Sequence, residues 1–158
     1  MSYINKILID TTYLLPIFGI EVESFDEQDI LKLKMLYEKG KIEFYCLDVI
    51  WTELIAKVAK EMIKHHMINE TLIDEAVKSI LKSGVFKWIS PNAEAIKLAF
   101  KLRILGHKDM IDNLLYSTAK VKGFIFMSMD ESFRNFLRKN NMDVSIIMNH
   151  KEIIRSLE

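Results

Sequence analysis

KILIDTTYLLPIF, residues 6–18, decides how the chain is laid out. Ile7-Leu8-Ile9 is apolar without alternation, which is how a strand covered on both faces reads. The run ends on a carboxylate, Asp10, followed by Thr11 and Thr12. An ionisable group at the end of a buried strand prompts a search for companions. FIFMSMD, residues 124–130, repeats the pattern with Asp130.

Working outward from Lys6–Asp10, Ile42–Leu47 (IEFYCL) is β-branched and aromatic enough for a second strand, and Phe124–Met127 and Val144–Met148 (VSIIM) read as two more. Val85–Ile89 is apolar but too short to assign from periodicity. Thr11–Phe18 reads as a short helix with Pro16 in or near its first turns. Glu27–Lys39 carries the apolar stripe Ile30, Leu31, Leu33, Met35 and Leu36, and Gly40 closes it. Asp48 is read as the N-cap of a helix through about His66, and Glu70–Lys82 is another helix. Pro91-Asn92 opens a helix ending at Gly106, Lys108–Lys122 is ended by Gly123, Glu131–Lys139 follows, and a short helix finishes the chain. Continuously apolar strands alternating with helices predict an α/β fold: three layers, α/β/α, around a central, mainly parallel sheet. In such sheets ligands gather beyond the carboxyl ends of the strands, where Asp10 and Asp130 stand.

At 158 residues the chain fits one domain spanning 1–158. Lys+Arg and Asp+Glu balance at 22 each, so no global positive field attracts nucleic acid; such binding needs a local patch or bound cations. Cys46 is the only cysteine, which excludes a disulfide framework and a cysteine zinc site. With no signal-peptide pattern and no apolar run near the roughly 20 residues that span a bilayer, a cytoplasmic location and no membrane partner are expected.

The acids become interesting together. Glu53 lies about a turn into the helix after the second strand, in LDVIWTELIAK, and Asp112 lies early in the helix leading into FIFM, in GHKDMIDNLLYSTAKVKG. Asp109, three residues earlier, shares its helix face if the helix already runs there. Carboxylates about 4 Å apart at an effective dielectric near 20 repel by roughly 4 kcal/mol per pair, so such a cluster needs protons or cations. Mg²⁺ accepts a few carboxylates, keeps waters and binds phosphates, and paired ions activate water in phosphodiester hydrolysis.

Four stretches then resemble the PIN domains, a superfamily of metal-dependent ribonucleases that includes the VapC-type toxins. They are ILIDTTYLL, DVIWTEL, DNLLYSTAKVKG with an alanine seven residues beyond its aspartate, and FIFMSMDESF, in order from Lys6 to about Phe133. The resemblance implies that Asp10, Glu53, Asp112 and Asp130 are catalytic and bind Mg²⁺ or Mn²⁺. It gives Thr12 and Ser128 the role of orienting carboxylates, with Asp109 an accessory. It implies an endoribonuclease acting on RNA, with a toxin blocked by an antitoxin protein as one such role, and a homodimer. A catalytically silent PIN-like RNA binder and an rRNA-processing nuclease are the alternatives. A receiver domain wants a second acid beside the first, and a haloacid-dehalogenase-like phosphatase wants one at position 12; the chain has Thr11 and Thr12. Arg134 and Arg138 are expected in solvent, Trp51 and Trp88 in packing, and His65-His66 on the surface.

Overall fold

The computed structural model describes residues 3–158. Among these, the strands are β1 (Asn5–Ile9), β2 (Ile42–Leu47), β3 (Phe86–Ile89), β4 (Ile125–Met127) and β5 (Ile147–Met148). All pair in parallel, in the order β3-β2-β1-β4-β5. The helices are α1 (Glu27–Glu38), α2 (Ile50–Lys64), α3 (Glu70–Lys82), α4 (Ala93–Ile104), α5 (Met110–Lys122), α6 (Glu131–Lys139) and α7 (His150–Leu157). Parallel connections turn right-handed, so those stepping from β1 towards β3 and those returning through β4 to β5 place helices on opposite faces. The result is the expected three-layer α/β/α arrangement.

β1 is central, and its apolar run is explained by burial: Ile7, Leu8 and Ile9 are shut in on both faces. Leu8 stands opposite Tyr45 of β2 on one side, and Ile9 opposite Met127 of β4 on the other. The Asp10 amide extends the second ladder by donating to the Met127 carbonyl at 3.1 Å. The carboxyl ends of β1 and β4 are thereby level. Between them lies the point where the strand order reverses, which opens a crevice.

Several boundaries differ from the sequence reading. Thr11–Phe18 is a 3-10 helix, ended by Gly19 at φ 76°. Asp48 does not cap α2: its amide still donates to Ile89, prolonging the β2–β3 pairing, and its carboxylate accepts the Ser90 hydroxyl. The helix starts after Val49, with no side-chain cap. Phe86–Ile89 becomes an edge strand through its pairing with β2. β5 is shorter than VSIIM because the Asp143 carboxylate accepts from the Ser145 amide at 2.9 Å and hydroxyl at 2.6 Å, bending the chain there. Asp109 caps α5, whose first residue is Met110.

A buried polar knot fastens the 3-10 segment. The Tyr13 hydroxyl accepts from the His150 amide at 3.1 Å and lies 3.0 Å from His150 Nδ1. His150 Nε2 in turn faces the Asp29 carboxylate at 3.3 Å. The segment beginning at Asp10 is therefore tied to both α7 and α1. Among the described residues, no helix is long and apolar enough to cross a membrane.

Candidate active site

Asp10 ends β1 and caps the 3-10 helix: one carboxylate oxygen accepts the Thr11 amide at 2.8 Å. Its other oxygen takes the Ser128 hydroxyl at 3.4 Å, while Ser128 Oγ accepts the Asp130 amide at 3.1 Å. One hydroxyl thus bridges the two strand-end acids. Asp130 caps α6 by accepting from Phe133 at 2.9 Å. Glu53 stands in the first turn of α2, where its Oε1 accepts the Thr11 hydroxyl at 2.7 Å and contacts the Lys57 ammonium. Its Oε2 is buried with no hydrogen-bond partner. Asp112 sits in the first turn of α5, its amide held by the Asp109 cap at 3.1 Å.

Asp10, Thr12, Glu53, Lys57, Asp109, Asp112, Met129 and Asp130 line one cleft of about 260 Å³. Three helix N-termini, of α2, α5 and α6, bring in every acid of the cleft but Asp10, and their positive dipole ends offset part of the repulsion. A larger groove of about 840 Å³, between Phe18 and Met67, gathers no comparable set of charges. The cleft is marked by chemistry rather than size.

Electrostatic strain is concentrated on two carboxyls. Burial pushes Asp10 up to about 6, with Glu53 and Asp130 adding to it while Lys57 and the Thr11 amide hold it down. Burial also pushes Asp112 up to about 8, reinforced by Asp10, Asp109, Asp130 and Glu53. Burial works against the Lys57 ammonium, but Glu53, Asp10 and Asp112 outweigh it and raise its pKa.

The donor set suits a hard divalent cation: it is all oxygen, one carboxylate oxygen is orphaned, and two carboxyls resist ionising without a positive partner. Among the described residues, no three His, Cys, Asp or Glu side chains form a ready-made cage. The reason is visible in the partners. Glu53 is turned to Thr11 and Lys57, and Asp109 and Asp130 to helix amides, so holding a shared ion requires side-chain rotation.

All seven acids and hydroxyls singled out in the sequence lie in or against this cleft, though the hydroxyl contacts are distributed differently. Thr12 lines the wall, but Thr11 makes the hydrogen bond to Glu53. Lys57 escaped the sequence reading altogether; its signal was the i,i+4 Glu–Lys spacing from Glu53. Arg134 is not solvated: its guanidinium lies on Glu152 at 3.1 and 3.0 Å and on the Ile147 carbonyl, joining α6 to α7. Trp51 and Trp88 stack on each other, centroids 5.4 Å apart, against the core.

An acid-lined crevice at the reversal point of a parallel three-layer sheet is an arrangement suited to metal-assisted chemistry on phosphates. Residues 7–138 match the model of the PIN domain, and the chain belongs to the PIN domain family, whose members are typically nucleases. No curated protein sequence matches the chain. Among solved structures it is similar to VapBC2 from Rickettsia felis bound to a DNA fragment from their promoter: TM-score 0.60, 14% identity, 91% of this chain and 98% of that chain covered. It is also similar to PAE2754 from Pyrobaculum aerophilum, with TM-score 0.58, 14% identity, and coverage of 97% and 89% respectively. At that identity the likeness is one of fold.

Proposed function

We propose that this PIN domain is an endoribonuclease that hydrolyses RNA phosphodiester bonds with Mg²⁺ or Mn²⁺. The observation that carries the reading is the convergence of Asp10, Glu53, Asp112 and Asp130, from four separate elements, on one cleft. Asp10, Asp112 and Glu53 would hold the main ion, and Asp130 would complete the site. A divalent ion held there supplies an activated water and stabilises the leaving oxygen. Ser128 orients Asp10 against Asp130, Thr11 holds Glu53, and the Asp109 cap fixes the start of α5.

Purified protein should cut labelled RNA when Mg²⁺ or Mn²⁺ is added and stop with EDTA. Ser128→Ala should lower the rate roughly 10–100-fold, the range for loss of a bond that orients a metal ligand, and Asp10→Asn should lower it further. Undiminished cleavage by Asp10→Asn would reject the mechanism. RNA retention without metal-dependent cleavage would instead make the chain a binding module.

The biological role we propose is that of a toxin in a toxin–antitoxin pair. It is supported by the fold shared with the Rickettsia felis VapBC2 structure. A small antitoxin would cover the acidic cleft, and a homodimer would be the working unit. Induction of this chain alone should arrest growth, and co-expression of the neighbouring reading frame should restore it. Normal growth under strong induction would point to an RNA-processing nuclease.

A further inference from the structure

A cleft lined by five acids and one lysine repels the very polyanion assigned to it. The chain as a whole has no net charge to compensate. Divalent ions held in the cleft can draw in the phosphate being cut, and affinity for the rest of the strand then has to come from cations beside the cleft. α2 supplies them in a definite direction. At 3.6 residues per turn, Glu53, Lys57, Lys60 and Lys64 fall within an arc of about 60°. That arc is distinct from the one formed by the buried Ile50, Leu54, Val58 and Met62. Glu53 and Lys57 both reach the cleft, so the lysine ridge starts there and runs outward for roughly 16 Å, the rise from Glu53 to Lys64.

Beyond Glu53 the arc carries no acid. The other acid of α2, Glu61, lies outside it and is engaged by His65 at 3.3 Å. Lys60 and Lys64 are exposed, and among the described residues neither forms an ion pair. A lysine is a mobile point charge on a long stem, suited to following a flexible chain of phosphates without reading its bases.

We infer that the Lys57–Lys60–Lys64 face of α2 is a phosphate track along which single-stranded RNA passes to the acidic cleft. The inference rests on the nuclease reading and adds to it the path of the strand. Lys57 is the junction, holding Glu53 at the cleft; Lys60 and Lys64 serve binding alone.

The test is fluorescence anisotropy of a labelled single-stranded RNA with the full chain, Ca²⁺ replacing Mg²⁺ so that binding is read without cleavage, over a range of salt. Lys60→Ala/Lys64→Ala should weaken binding and lower the slope of log K against log salt by about 1.4, since each phosphate contact on a single strand contributes about 0.7. Lys82→Ala/Lys139→Ala, two exposed lysines on α3 and α6, removes the same charge elsewhere and should leave the slope unchanged. An unchanged slope in the α2 variant, an equal fall in both variants, or no binding by the wild-type chain would overturn the track. Circular dichroism guards against misfolding, and Lys60→Glu/Lys64→Glu should weaken binding further. Metal-dependent cleavage with an unaltered slope sinks the track alone. A lowered slope without any cleavage sinks the catalytic reading while the strand path stands.

Discussion

Asp112 is the side chain most at odds with its surroundings. Its carboxyl, pushed up to about 8 from an ordinary 3.8, makes the folded protein hold a proton that the unfolded chain releases. Stability without divalent ions is therefore greatest below about pH 4 as far as this group is concerned, falls as pH rises, and levels off above about 8. Asp10, pushed up to about 6, acts in the same sense over the lower part of that window. Asp112→Asn should stabilise the metal-free protein at pH 8 and flatten the decline, as read by urea denaturation in EDTA at several pH values. A variant less stable than wild type at pH 8 would contradict this. Divalent ions compete with those protons, so their affinity should rise with pH over the same interval. Asp10 and Asp130 were legible in the sequence because each follows an apolar strand run, and Glu53 and Asp112 because each stands in the first turn of a helix that the sequence lays out. Thr11 and Lys57 were not: which of two adjacent threonines turns towards Glu53 depends on the 3-10 twist, and a lysine one turn along a helix is most often solvated.

At the level of elements, the segment that begins at Asp10 is fixed by Tyr13, in its first turn. Removing the hydroxyl in Tyr13→Phe leaves the His150 amide and ring nitrogen without their partner, at a cost of about 1–3 kcal/mol. A urea midpoint unchanged from wild type would show that the knot holds nothing. Gly123 ends α5 at φ 72°, with open space where a side chain would go, so Gly123→Ala should cost only the backbone penalty of about 1–2 kcal/mol. Thermal unfolding reads both changes. The long helices were legible because stripes, caps and terminal glycines agreed. Where they failed, tertiary hydrogen bonds decided: a ladder bond kept Asp48 in the sheet, and the Asp143–Ser145 turn cut VSIIM to a two-residue strand.

For the molecule as a whole, α4 presents Ile96, Phe100 and Ile104 at successive i,i+4 positions with exposures of 41%, 64% and 83%. The homodimer proposed above is expected to cover such a stripe, since large apolar side chains in a row favour removal from water. Phe100→Glu should then halve the mass measured by light scattering; a wild-type chain already monomeric at high concentration would dismiss the dimer. The layered fold was legible because strand runs and helix stripes alternate, whereas quaternary contacts leave no comparable period in one sequence.

The same sheet order has a consequence in time. Asp10 and Glu53 belong to the half of the chain translated first, but β1 gains its second neighbour only when β4, some 118 residues behind it in register, slides in beside it. Until the ribosome has delivered residue 130 and that strand has docked, the Asp10–Thr11–Glu53 side of the cleft has no Asp130 to face. Under the nuclease reading proposed above, a growing chain is thus harmless to the RNA around it until that strand is in place.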